Sequence, residues 1–224
     1  MLHRVLIALA LLLAGQAVAQ PDARLRGLLT EGDRARLNLI IRKRQVEVRR
    51  QRSVPRGFTV PGGTLVTGRG WLAASRRVVT ASALVEGWPV DAADVIEVLA
   101  PDGVWRPAAV GLIDARTGLA VLDVDLPPIS EGPAAEKGAL WPGRRVYAAG
   151  PSWPVELLVQ ARGAGDLRWY WVLAGPPLSP GTPLFDPGGN LISVVGLLGA
   201  GGVPLALPEE SIADLRAREG DWLP

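Results

Sequence analysis

The sequence predicts an all-β protein built in two halves, and three observations predict it. From Thr59 onward, ten short apolar runs are separated by Gly, Pro and Asp turns. The 224 residues carry 27 Gly and 20 Pro, a turn-forming content that argues against long helices. A stretch rich in Pro, Ser, Gly and Glu, Pro127 to Gly138, divides the runs into two sets and reads as a linker. Short antiparallel strands of this kind close into barrels or pack as a sandwich.

The first residues are predicted to be a secretory leader spanning 1–19. His3 and Arg4 form a basic start, Val5 to Leu13 an apolar stretch, and Ala17-Val18-Ala19 a small-residue cleavage site before Gln20. The competing reading is an uncleaved anchor, but Val5 to Ala14 is short of the ~20 apolar residues a spanning helix needs. No Cys stands at the junction to carry a lipid. Export to the periplasm or beyond is therefore expected.

Residues 20–57 read as a basic arm. From Gln20 to Phe58 there are 11 Lys and Arg against 4 Asp and Glu, whereas Thr59 to Pro224 holds 12 against 18. Leu37, Ile40, Ile41 and Val48 fall at helical spacings, and no Gly or Pro interrupts Asp33 to Val54, so a helix from about Asp33 to Arg52 is predicted. Its other face carries Arg42, Lys43, Arg44, Arg49, Arg50 and Arg52, a candidate dock for anionic lipid, envelope polymer or an acidic partner. The plainer alternative is a solvated face held against the acidic body. Export makes nucleic acid an improper partner for this charge.

Candidate strands follow at Thr64–Val66, Trp71–Ala74, Arg77–Thr80, Val95–Leu99, Ala108–Ile113 and Leu119–Val124 in a first unit, 58–126. Beyond the linker, 127–138, come Arg145–Ala149, Leu157–Ala161, Trp169–Leu173 and Leu191–Leu197 in a second unit, 139–224. A closing helix opens at Pro208, buries Ile212 and Leu215, and ends at Gly220. Consecutive Trp169, Tyr170 and Trp171 on a strand would place the two Trp on one side. They suit the second core, or else an exposed surface for a partner.

Without residues 1–19 the chain has no His, no Cys and no Met. Chemistry that needs an imidazole or a thiolate, whether a Ser-His-Asp triad, a Cys-His pair or a typical zinc site, has no side chains to use. Disulfides are excluded as well, so stability rests on packing.

Several segments in register carry a resemblance to the trypsin-like serine proteases, most similar to the bacterial HtrA-type branch. Gly68-Arg69-Gly70-Trp71-Leu72 is similar to an early strand of the family, and Val78 through Gly87 resembles the strand and turn that carry the catalytic His. Asp102-Gly103, Gly111 to Asp114 and Thr117 to Leu122 resemble the hairpin and the segment bearing the catalytic Asp. Tyr147 to Pro151 resembles a strand end, Ser179 to Leu184 with Gly189 to Ile192 the nucleophile loop and the strand after it, and Leu205 to Pro208 the entry to the last helix. The resemblance runs from about Gly68 to Leu215 and implies two antiparallel β-barrels of six-stranded type.

The same resemblance shows what is missing. Ala83 stands where the family has its His, Gly118 where it has Asp, and Pro180 where it has the nucleophilic Ser. Proline also lacks the N–H that would help hold an oxyanion at that position. Leu178, Ser179, Gly181 and Thr182 complete the vestigial cleft loop. A Ser-Lys pair would need Lys43 or Lys137, the only two lysines, which lie in the arm and the linker. Neither Asp123 and Asp125 on one strand nor Glu209 and Glu210 at a helix start has the pattern of a catalytic pair or metal site. The expectation is a non-catalytic, secreted pseudoprotease that binds a protein or peptide, without cofactor or metal. Two rivals stand beside it: an endopeptidase that activates Ser179 or Thr182 without imidazole, and a structural subunit docked to the envelope through the arm.

Overall fold

The computed structural model describes residues 29–52, 65–74, 76–86, 94–126, 139–150, 153–167 and 169–219. The expected leader and the linker 127–138 lie outside them. The first element is a helix, α1 (Glu31–Arg44), begun by a capping box. Thr30 Oγ1 accepts from the Asp33 N–H at 3.1 Å, and the Asp33 carboxylate accepts from the Thr30 N–H at 3.1 Å. The Thr30 hydroxyl also donates to Asp33 Oδ2 at 2.6 Å, and this bond, with the weaker one from the Thr30 N–H, holds the Asp33 carboxyl below its usual range, so it is ionised at the positive end of the helix dipole.

The predicted helix to Arg52 is corrected here. It stops at Arg44, and Gln45–Gln51 is the first strand, β1. The residues explain why. Val46, Val48 and Arg50 alternate with Gln45, Glu47 and Arg49, and the even positions are buried. Two β-branched side chains at a spacing of two favour the pleated backbone. Val48 lies seven residues after Ile41, a spacing that also fits two helical turns, which is why the period of 3.6 is misleading there.

Eleven strands follow: β2 (Leu65–Ala74), β3 (Arg77–Ala81), β4 (Val95–Leu99), β5 (Trp105–Asp114), β6 (Leu119–Val124), β7 (Arg145–Ala148), β8 (Val155–Arg162), β9 (Trp171–Ala174), β10 (Pro183–Phe185), β11 (Leu191–Leu198) and β12 (Pro204–Ala206). A second helix, α2 (Glu210–Glu219), comes last. The strands form two closed antiparallel barrels, ordered β1-β2-β3-β6-β5-β4 and β10-β11-β12-β9-β8-β7. β1 pairs with both β2 and β4, so a segment expected to lie in a separate arm closes the first barrel. The boundary between arm and barrel therefore falls at Arg44, inside the expected arm.

Three apolar clusters hold the molecule. Val48, Leu72, Val78, Ile96 and Leu122 fill the first barrel, and Val146, Leu157, Leu173, Leu184 and Ile192 the second. The third lies between them and takes residues from every layer: Leu37 and Ile41 of α1, Trp71, Val79 and Val121 of the first barrel, Phe185, Val194 and Leu207 of the second, and Ile212 and Leu215 of α2. Trp71 and Phe185 meet edge to face across it, their ring centroids 5.2 Å apart. Fully burying Leu37 and Ile41 contributes roughly 1.5–3 kcal/mol each, which fixes α1 in the seam between the barrels.

The buried Arg50 also binds the first barrel to itself. Its Nε and Nη2 donate to Asp94 Oδ2 at 3.0 and 2.7 Å, and Nη1 donates to the Glu86 carbonyl at 2.6 Å. The two side chains are 3% and 2% exposed. Removing one partner of so buried a pair strands the other's charge. Asp94→Ala is expected to lower the unfolding free energy by about 3–5 kcal/mol, measured by urea denaturation at neutral pH, while Asp125→Ala, whose carboxylate is exposed beside Arg76, should change it by less than about 1 kcal/mol.

Candidate functional site

The three positions that the resemblance assigns to a triad meet at one end of the seam. Ala83 is exposed on a single 3-10 turn, Ser82–Leu84, that leaves β3. Gly118 ends the turn before β6, and its carbonyl accepts from the Ser82 N–H at 2.9 Å, so these two positions are neighbours through one backbone bond. Pro180 reaches the same place from the second barrel. Its carbonyl accepts from the Arg69 N–H of β2 at 2.8 Å, and a Cβ added to Gly68 would meet both Leu84 and, at 2.7 Å, that carbonyl.

The loop 178–182 is shaped by its own bonds. The Gly181 N–H donates to Val195 O at 2.7 Å, and the Val195 N–H donates to Thr182 O at 2.9 Å. Gly181 has φ +81, and a Cβ there would collide with the Arg69 carbonyl, so glycine is required twice over. Thr182 is buried, and its hydroxyl donates to Ser179 O at 2.6 Å. That bond makes Thr182 a clip inside the loop. Leu178 joins the second barrel's core, and Ser179 is half-buried.

What fills the space between these positions is apolar. At Gly118, with φ +72, an added Cβ would lie 2.7 Å from Leu207 Cδ2. At Gly196 an added Cβ would lie 2.8 Å from Tyr170 Cε1 and 2.9 Å from Leu207 Cδ2. Leu207 thus occupies the volume beside Gly118, and Tyr170 joins it beside Gly196. Burial pushes the Tyr170 phenol up, and the charge of Glu86 adds to this. Glu86 in turn accepts from the Ser82 hydroxyl at 3.0 Å. Sequence reasoning did not find Leu207, Tyr170 or Glu86 as cleft residues. The two glycines facing them, Gly118 and Gly196, were the only sign, and a glycine does not say what fills its missing side chain.

The chemical capacity of this arrangement is small. At the three positions there is a methyl group, a hydrogen and a pyrrolidine ring, none of which accepts a proton. Pro180 presents no N–H toward an oxyanion, and its carbonyl is already bonded. Among the described residues no group of three or more His, Cys, Asp or Glu side chains comes together to hold a metal.

The expected basic docking face does not exist as one surface, because three of its six members are bound within the protein. Arg44 is buried, donating to Leu72 O at 3.2 Å and lying 5.7 Å from the Trp71 ring centroid; burial lowers its pKa. Arg50 is the buried partner of Asp94. Arg49 pairs with Glu97 at 2.7 Å and stacks on Trp105. Of the six, Arg42 and Lys43 are exposed on α1, while Arg52 is half-buried beyond β1. The strand expected through Trp169, Tyr170 and Trp171 also begins later, at Trp171. Trp169 sits in the preceding turn, 62% exposed, whereas Trp171 is buried and donates from Nε1 to Glu209 at 3.1 Å, so the two Trp do not share one side.

No family model matches the chain, and no curated protein matches it. Solved structures do. The active form of the Rv3671c protease from M. tuberculosis is similar with a TM-score of 0.62 at 19% identity, over 82% of this chain and 84% of that one. The likeness shows the fold, a trypsin-like double barrel.

The packing around Gly118 yields a prediction. Gly118→Asp, which restores a carboxylate at that position, must adopt a left-handed backbone at about 1–2 kcal/mol and displace Leu207. It should lower the melting temperature, and part of that loss should return in the Gly118→Asp/Leu207→Ala double variant relative to Leu207→Ala alone. A Gly118→Asp protein as stable as the parent would show that Leu207 does not fill this space.

Proposed function

We propose that this chain is an exported, non-catalytic pseudoprotease of the HtrA-type trypsin-like branch that binds a protein or peptide partner. One observation carries the reading: Ala83, Gly118 and Pro180 meet where the fold would assemble a triad, and none of them can take a proton or offer a hydroxyl. The filling of the adjacent space by Leu207 and Tyr170 supports binding at the rim over binding in a deep pocket. Trp169, one residue before Tyr170 and 62% exposed, supplies the kind of rigid aromatic anchor that protein partners use. The apolar leader pattern of residues 1–19 supports export to the periplasm or beyond.

The test is made with mature protein, residues 20–224. Casein and fluorogenic-peptide hydrolysis should stay at the buffer rate, unchanged in Ser179→Ala and Thr182→Ala. Capture from envelope extract should retain a protein partner whose retention falls by about tenfold or more in Trp169→Ala. Hydrolysis that disappears in Ser179→Ala would overturn the proposal.

A further inference from the structure

The helix α1 uses one face for the core and leaves the other without a partner. Leu37, Ile41 and Arg44 are buried against the barrels. On the opposite side Arg36, Leu39 and Lys43 succeed one another at spacings of three and four residues and form one exposed stripe, with Arg42 beside it. Leu39 is 56% exposed at the middle of these cations. Arg36, Arg42 and Lys43 make no hydrogen bond or ion pair among the described residues, in contrast to Arg44, Arg49 and Arg50.

We infer that this outer face of α1 docks on an anionic phospholipid bilayer, with Arg36, Arg42 and Lys43 over the headgroups and Leu39 entering between them. Charge complementarity is the first reason. Three exposed cations that make no ion pair among the described residues surround one aliphatic side chain, and of these only Arg36 feels a nearby carboxylate, that of Asp33. The charge of the rest of the chain is the second. From Thr59 to Pro224 acidic residues exceed basic ones by 18 to 12, so an anionic surface repels the body and attracts the helix, which orients the molecule.

The attachment is peripheral. No described helix is long and apolar enough to cross a membrane, and the apolar side of α1 is committed to the core. The contact is therefore mainly electrostatic, reversible and weakened by salt. It does not depend on whether the barrels catalyse anything, so it stands or falls apart from the pseudoprotease reading.

The experiment is co-sedimentation of residues 20–224 with vesicles of phosphatidylglycerol and phosphatidylethanolamine, against vesicles of phosphatidylcholine alone, at low and high salt. Binding to the anionic vesicles alone, lost at high salt, is the expected result. The triple variant Arg36→Ser/Arg42→Ser/Lys43→Ser should reduce the partition coefficient by about a hundredfold, since each cation near an anionic surface is worth about a factor of five. Leu39→Ser should weaken it less, and Arg162→Ser on the far barrel should leave it unchanged. Thermal melts matching the parent's establish that each variant is folded. Absence of binding to the anionic vesicles, equal binding to both vesicle types, or a folded triple variant that binds like the parent would overturn the inference. So would capture of an acidic protein through the stripe by a chain that ignores vesicles.

Discussion

The close backbone approach between Gly181 and Arg69 is the constraint on which the site depends. There the loop 178–182 of the second barrel lies against β2 of the first with no room for a side chain, and the Arg69 N–H is bonded to the Pro180 carbonyl. Thr80 adds a hydroxyl bond to the Arg69 carbonyl at 2.5 Å, which keeps that segment of β2 in place. The barrels are thus fixed relative to each other at the point where Ala83, Gly118 and Pro180 come together, and none of these three side chains can transfer a proton. The same seam holds the cluster of Trp71, Phe185 and Leu207, so packing alone gives this approach a structural role.

Much of this was legible in the sequence, for identifiable reasons. Val95–Leu99 and Leu119–Val124 are strands with the expected ends, since each is an apolar run bounded by turns. β10 and β12 escaped because three residues, beginning in each case with proline, carry no periodicity to read. β1 was misread because its arginines look like a solvated face. Arg50 is buried with partners far away in sequence, the Asp94 carboxylate and the Glu86 carbonyl among them, and no local pattern reports such partners.

The positions that the resemblance assigns to a triad, Ala83, Gly118 and Pro180, each sit in a fragment with recognisable neighbours, and the fold brings these fragments to one end of the seam. Their surroundings were not legible. That Leu207 and Tyr170 fill the space beside Gly118 and Gly196 is a property of how the residue after β12 and the turn before β9 meet in the folded chain. The basic residues near the N-terminus divide in the same way: Arg44 and Arg50 serve the interior, Arg49 pairs with Glu97 across β1 and β4, and those on the outer side of α1 are left to solvent.

The central claim is that the double barrel has no activated nucleophile, and reaction of mature protein with a fluorophosphonate probe, followed by intact and peptide mass measurement, tests it most directly. The account predicts no adduct after incubation at neutral or alkaline pH. A stoichiometric adduct on Ser179 or Thr182, blocked by prior unfolding, would contradict it.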